Sequence, residues 1–235
     1  MDFNYHGDYP LKYRTKPVME NSKLSKNKGQ FSAENLECIR SDRLLFSRLS
    51  FSLDSGEMLH VEGENGSGKT SLLRILCGLS PPASGEIYWQ GNTVRKNRTR
   101  FLENIAYIGH HAGIKGELTP LENLSLVLKL HPTHSKADLS RILADVGLYG
   151  HEDVPARTLS AGQRQRIALA RLLLQKAILW ILDEPFTSLD VKGRAWLQDL
   201  LDHHLQRGGM IILTAHHLLE SSRPMRRLCL NEYQS

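Results

Sequence analysis

Eight consecutive residues, GENGSGKT from Gly63 to Thr70, have the types and spacing needed to hold a chain of phosphates. Glycines at positions 63, 66 and 68 let successive backbone N–H groups curl around anionic oxygens, with Glu64, Asn65 and Ser67 completing the turn. Lys69 is placed to reach the outer phosphates and the Thr70 hydroxyl to ligate Mg²⁺; Ser71 continues into a helix whose positive end faces the anion. A bare glycine turn between a strand and a helix is the competing reading, and it leaves the Lys-Thr pair unexplained. A second constellation is ILWILDEP, an apolar run that ends in Asp183 and Glu184. Two carboxylates at the end of a buried strand are costly unless they face a cation, a ligand or a helix terminus. Asp183 is expected to serve the Mg²⁺ shell, and Glu184 to orient and polarise an attacking water.

The third constellation is LSAGQRQR, Leu159 to Arg166. Ser160 is placed as a helix cap, Gly162 permits close backbone approach, and Gln163, Arg164 and Arg166 decorate the first turns of a helix carrying Ile167, Ala168 and Leu172. By physics alone this is a helix start suited to an anion. LSAGQ also resembles the signature motif of the ATP-binding cassette (ABC) family, placed just ahead of the acidic strand. SLD at Ser188 to Asp190 resembles that family's D-loop, and His216 in ILTAHH its histidine after an apolar strand. The resemblance spans residues 35 to 217. It implies an α/β P-loop NTPase fold, a RecA-like mixed or parallel sheet with an antiparallel β subdomain and a helical subdomain. It also implies MgATP hydrolysis, with ATP sandwiched between one chain's P-loop and Ser160, Ala161, Gly162 and Gln163 of a second copy. His216 would then contact the γ-phosphate beside the catalytic Glu184, and Asp190 would couple the two sites.

Two positions depart from that pattern. Where cassettes usually offer an aromatic side chain to adenine, this sequence has Arg40, whose guanidinium either stacks on the base or is an exposed strand-edge charge. His110 stands at the usual glutamine of the Q-loop, as a hydrogen-bond acceptor or a ligand to Mg²⁺ or its water. These departures fit a subfamily. YIGHHAGIKGELTPLENL, LWILDEPFTSLDV and GGMIILTAHH look like the ATPase subunit of the heme exporter of bacterial cytochrome c maturation. That likeness implies integral-membrane permease partners, a peripheral position on the cytoplasmic face of the inner membrane, and either heme export or release of a heme-loaded chaperone. An ATPase for another small exporter is the nearest rival. A soluble cassette acting on DNA or ribosomes fits poorly, because the chain holds neither a long insertion nor a second cassette. A non-hydrolysing ATP sensor would be expected to lack Glu184 or His216.

The elements that must position these residues are legible from periodicity. Leu49, Phe51 and Leu53 alternate with polar neighbours, and Met58 to Val61, Ile178 to Leu182 and Met210 to Leu213 are short apolar runs, as strands require. Leu72, Leu73, Ile75, Leu76 and Leu79 recur at helical spacing, as do Leu139, Ile142, Leu143 and Val146 before Gly147, and Leu197, Leu200, Leu201 and Leu205 before Gly208. Strands alternating with helices predict a parallel sheet covered on both faces. The stretch from about 95 to 165 is expected to be a largely helical subdomain.

In a chain of 235 residues with 40% hydrophobic and 23% charged residues, one globular domain is expected from residue 31 onward. The longest stretch without Asp, Glu, Lys or Arg is Gly208 to Leu219, 12 residues, against the roughly 20 that span a bilayer. Three dispersed cysteines, Cys38, Cys77 and Cys229, suggest a reduced compartment and no disulfide framework. Paired histidines at 110–111, 203–204 and 216–217 lack the i, i+4 spacing of a helical chelate and are expected at the surface. The net charge of +5 is mostly local: six of the cations and three of the anions lie in residues 1–30, which read as a mobile basic tail containing Met19, a candidate internal start. Nucleic-acid binding by the domain therefore has little support.

Overall fold

The computed structural model describes residues 30–130, 138–215 and 225–234. The basic stretch before residue 30, the paired His216 and His217, and the candidate start Met19 lie outside the described residues.

Two sheets share the load. Strands β1 (Phe31–Arg40), β2 (Arg43–Leu53), β4 (Ser84–Trp89) and β5 (Asn92–Thr93) form an antiparallel sheet in the order β2-β1-β4-β5. Strands β3 (Met58–Glu62), β6 (Ile105–Ile108), β7 (Leu179–Asp183), β8 (Met210–Thr214) and β9 (Met225–Cys229) form a parallel sheet in the order β6-β7-β8-β3-β9. Every residue of β7 and β8 is buried, so both sheet faces must be covered. Leu179 and Ile181 turn toward α1 (Lys69–Leu76) and the antiparallel sheet, whereas Trp180 and Leu182 pack with α5 (Ala161–Leu174) and α6 (Val191–Gln206). The expected fold class, a P-loop cassette with parallel core and antiparallel subdomain, is the one observed.

The middle of the chain differs from the helical expectation. After α2 (Arg98–Leu102), Ile105–Ile108 forms strand β6, in parallel register with β7 from Ile105↔Leu179 to Ile108↔Leu182. Four residues are too few to show a period of their own; pairing with β7 decides their state. The helical portion follows, as α3 (Pro120–Leu130) and α4 (Leu139–Asp145) packed on α5. Leu124, Val127, Ile142, Leu143 and Val146 form a separate small core with Ile167, Ala170 and Leu174 of α5. Helix α5 thus belongs to two cores at once, since its Ala168, Leu169 and Leu172 pack against the sheet.

Asn123 in the first turns of α3 organises the chain leading into that helix. It is 4% exposed, its amide donates to the carbonyls of Lys115, Leu118 and Thr119 at 3.1, 3.2 and 3.0 Å, and its Oδ1 accepts the Lys115 N–H at 2.9 Å. Removing this side chain strands several buried backbone groups.

His204 corrects the expectation of a surface histidine. Its ring stacks on Trp180, with centroids 3.7 Å apart and planes 9° from parallel, and its Nε2 donates to the Ile178 carbonyl at 3.1 Å. The second of two glycines, Gly209, lies against the imidazole so closely that a Cβ there would overlap it. Burial pushes the His204 pKa down to about 4, against which hydrogen bonding to the Ile178 carbonyl is the weaker influence.

Two expectations follow. Asn123→Ala should lower stability by about 2–3 kcal/mol in urea denaturation, the cost of orphaning buried polar groups. For His204, the unfolded chain binds a proton near the ordinary histidine pKa and the folded chain does not until about pH 4. Stability is therefore fully present above about pH 6.5 and falls on acidification toward 4, by up to about 3 kcal/mol. His204→Phe, which keeps the stack and removes the titration, should flatten that limb when urea midpoints are compared between pH 7 and 4.5.

Candidate nucleotide site

The glycine loop sits at the carboxyl end of β3, where α1 begins. Gly68 enters the helix with φ +103, and Gly63 has φ +152; a Cβ on Gly63 would lie 2.6 Å from the Ser67 Oγ, so both the backbone angle and the space call for glycine. The Lys69 ammonium folds over the loop and donates to the carbonyls of Gly63 and Glu64 at 2.7 and 3.0 Å. This draws the loop tight and leaves the cation at its mouth. Leu72, Leu73, Ile75 and Leu76 anchor the helix in the core.

Because the sheet is parallel, β7 delivers its acidic residues to the same end. Asp183 is 3% exposed, and both of its oxygens are engaged: Thr70 Oγ1 donates to Oδ2 at 2.8 Å and Thr214 Oγ1 donates to Oδ1 at 2.8 Å. Thr214, the last residue of β8, lies beside Asp183 in the ladder and also accepts the Glu184 N–H at 2.9 Å. Glu184 itself has φ +53, a left-handed conformation uncommon for a side-chain-bearing residue, which turns the chain sharply out of the strand. Thr70, Asp183, Thr214 and the Glu184 backbone are therefore one hydrogen-bonded unit tying α1, β7 and β8 together.

A cleft of about 340 Å³ opens over this unit, lined by Asn65, Gly66, Gly68, Lys69, Thr70 and Ser71 from the loop, Asp183 and Glu184 from β7, His110 and Leu45. His110 follows β6 by two residues, and its ring meets that of His111 edge-on at 5.5 Å. Strand β6 thus carries His110 to the cleft. Arg171 of α5 holds the chain beyond it, donating to the carbonyls of Ala112 and Gly113 at 3.0 and 3.1 Å, and burial lowers its pKa. Burial pushes the phenol of Tyr107, on β6, up to about 12, and the Asp183 carboxylate adds to the effect.

Arg40 does not line the cleft. It ends β1 exposed, paired with Arg43 across the hairpin turn at Ser41 and Asp42. Leu45, 9% exposed and packed against Gly68, is the side chain that β2 offers there. Periodicity identified β2 only from Leu49 onward, so Leu45 passed unnoticed; a buried apolar residue just inside a hairpin was the available signal. Thr214 was also missed. Its signal was a hydroxyl closing an otherwise apolar run, MIILT.

Ser160, Ala161, Gly162 and Gln163 lie outside this cleft. Ser160 caps α5 through a reciprocal pair: its Oγ accepts the Gln163 N–H at 3.1 Å, and its own N–H donates to the Gln163 Oε1 at 2.9 Å. A Cβ on Gly162 would come within 2.5 Å of the Ser188 carbonyl, so this glycine lets the α5 start press onto the SLD turn. Asp190 caps α6 by accepting the Gly193 N–H at 2.8 Å, and pairs with the Arg166 guanidinium at 2.5 Å. The Gly193 N–H first, and Arg166 after it, hold the Asp190 carboxyl below the usual carboxylate range. Arg166 also donates to the Val146 carbonyl at 2.8 Å. The signature loop and D-loop are thereby one exposed unit of the same chain.

The ABC transporter family profile matches residues 46–187. Among curated relatives, the Cytochrome c biogenesis ATP-binding export protein CcmA of Methylococcus capsulatus is 54% identical over 202 residues, 85% of this chain and 97% of that protein. The protein of the same name from Nitrosomonas europaea is 50% identical over 192 residues, 81% and 90% of the two chains. A solved ATP binding subunit of an ABC transporter superposes with a TM-score of 0.72 at 25% identity, covering 80% of each chain. The ATP-binding cassette MJ0796, a dimer bound to ADP and Pi, shares the fold with a TM-score of 0.70 at 22% identity, covering 80% of this chain and 88% of that one. The chain belongs to the ABC transporter ATPases and, within them, to the family of cytochrome c biogenesis ATP-binding export proteins.

Proposed function

We propose that this chain hydrolyses MgATP in a head-to-tail dimer of two copies, on the cytoplasmic face of the bacterial inner membrane, to drive a heme-handling permease in c-type cytochrome biogenesis. The observation that carries the hydrolytic part is the Asp183 carboxylate held between the Thr70 and Thr214 hydroxyls at the floor of the glycine-loop cleft. The export part rests on the relatives' names and the extent of identity.

Gly63 to Ser71 would cradle the phosphates of ATP, with Lys69 swinging from the loop carbonyls to the outer phosphates. Thr70 and Asp183 offer hard oxygen donors at one point, which suits Mg²⁺, an ion that takes one or two protein ligands and fills its shell from phosphates and water. His110, at the rim, would contact that shell. When bound, Mg²⁺ supplies charge neutralisation at the phosphoryl oxygens. Glu184, delivered beyond Asp183 by its left-handed turn, would orient and polarise the attacking water, and His216, one residue past Ala215, would contact the γ-phosphate. Leu45 would support the adenine from the β2 side; Arg40 could reach it only by folding over the hairpin. Gly162 and the capped Ser160 would close the partner's site rather than their own, which accounts for their lying outside the cleft. Asp190, tied to Arg166, would report one site's state to the other.

The helical portion, α3 and α4 on α5, is proposed as the subdomain that meets the permease, and the remainder from residue 31 as the ATP-binding domain. Among the described residues no helix is long and apolar enough to cross a membrane, so membrane association would come through that partner. The basic stretch 1–30 is assigned an accessory attraction to anionic headgroups.

Glu184→Gln should stop turnover and, with ATP, convert the monomer to a stable dimer on size-exclusion chromatography; a variant that binds ATP without changing oligomeric state would refute the head-to-tail reading. In a strain lacking the native subunit, the wild-type chain should restore heme-stained c-type cytochromes and Glu184→Gln should not. Affinity capture from those membranes should recover cytochrome maturation components, and recovery of a drug or lipid permease instead would replace heme export with another small-substrate exporter.

A further inference from the structure

The cap on α5 contains one contact that the capping box does not need. The Gln163 amide uses its Oε1 for the Ser160 N–H at 2.9 Å, and its Nε2 lies 3.1 Å from the Nε2 of His151. His151 belongs to the connection between α4 and α5. Its own N–H is fixed on the Leu148 carbonyl at 3.1 Å, and the next residue's carbonyl, that of Glu152, accepts the Leu121 N–H of α3 at 3.3 Å. The ring is half-buried, so a well-anchored loop presents it to the amide.

The chemistry of the pair is one-sided. With Oε1 committed to a backbone N–H, the amide has only N–H bonds to offer His151, so the imidazole Nε2 must carry a lone pair and the ring proton must sit on Nδ1. Turning the amide over would set its NH₂ against the Ser160 N–H, donor against donor, and would break the cap. A ring with hydrogen on Nε2 forces that choice. We propose that His151 is a positioning residue for the signature loop: as an acceptor it fixes which way the Gln163 amide points, and through it the orientation in which Ser160 and Gly162 are presented to ATP bound by a second copy. The inference rests on the head-to-tail reading above and adds a residue outside the signature motif to it.

Position, not fold, is what the contact governs. Ser160 and Ala161 are exposed, and the cleft of the same chain contains neither. Loss of the His151 acceptor therefore leaves the chain's own glycine loop intact and shows only where two copies meet.

In the Glu184→Gln background, His151→Leu should raise the protein concentration needed for ATP-dependent dimerisation by roughly fivefold, the effect of one neutral hydrogen bond. In the otherwise wild-type chain it should lower kcat by a similar factor while ATP affinity of the monomer stays within about twofold. His151→Gln, whose Oε1 can accept from the same amide, should restore both. Dimerisation by His151→Leu at the parent's concentration, or a His151→Gln variant as impaired as His151→Leu, overturns the proposal. If the Glu184→Gln parent stays monomeric, the head-to-tail reading falls and this one with it. Long-range ¹H–¹⁵N spectra of the intact cassette at pH 8 test the donor–acceptor assignment without any dimer: His151 should show hydrogen on Nδ1 and a bare Nε2, and the opposite tautomer overturns the assignment even where dimerisation is normal.

Discussion

The structure turns on a buried carboxylate that is never left alone. Asp183 ends a strand whose five residues are all buried, in a place where an unpartnered charge would cost several kcal/mol. Two threonine hydroxyls meet it from different elements, one from the first turn of α1 and one from the end of β8. For both to arrive, three parallel strands must end at the same level, and the register from Leu179↔Met210 to Asp183↔Thr214 ensures this for two of them. The third, β3, pairs with β8 from Met58↔Ile211 to Val61↔Thr214, which brings the glycine loop to the same edge. The parallel register thus decides whether the site exists, and the apolar faces of β7 and β8 decide the register.

A different constraint governs the other half of the machinery. Helix α5 is held by two cores, and its start is fixed by close backbone approach at Gly162 and by the Arg166 contacts to Asp190 and Val146. An ion pair open to solvent on one side adds little to stability, and here Asp190 faces solvent while Arg166 is largely covered. The pair therefore fixes geometry: movement of the α4 end, the signature loop or the D-loop displaces one guanidinium and is felt by the other two. That arrangement suits the proposed cycle, in which two copies come together and part.

Much of this was legible in the sequence because it rests on short, local patterns. The glycine loop, the acidic strand end, the Ser160 cap and the helices α1, α4 and α6 are set by residues within a few positions of one another. The misreadings are all cases where distant partners decide. IAYI is a strand because β7 lies beside it, and a window of helical neighbours concealed that. His204 looked like a surface residue because its pairing with His203 lacks the spacing of a chelate, whereas its ring is claimed by Trp180 from β7. Arg40 is not among them, since an exposed strand-edge charge was one of its two expected states; it ends β1 exposed at the hairpin, and Leu45 is the β2 side chain that lines the cleft. His151 has no local signal at all, since its partner lies twelve residues away on the next helix.

The split between what lines the cleft and what does not has a mechanistic meaning. A single chain assembles loop, carboxylates and His110 around one space, yet points its capped α5 start elsewhere. A helix start that caps itself so fully retains few free N–H groups, so its usefulness to an anion depends on those nearest Ser160 and Gly162 being held in one orientation. Such a group is effective only where a second molecule brings a phosphate to it. On the proposed head-to-tail reading the half-site is poised rather than active: the P-loop would hold nucleotide alone, but the charge developing on the transferred phosphoryl group would be fully met only when the second copy closes over it. On the proposed head-to-tail reading, this placement of donors couples ATP hydrolysis to the approach of two subunits, and a membrane partner that held the two copies apart would hold turnover back.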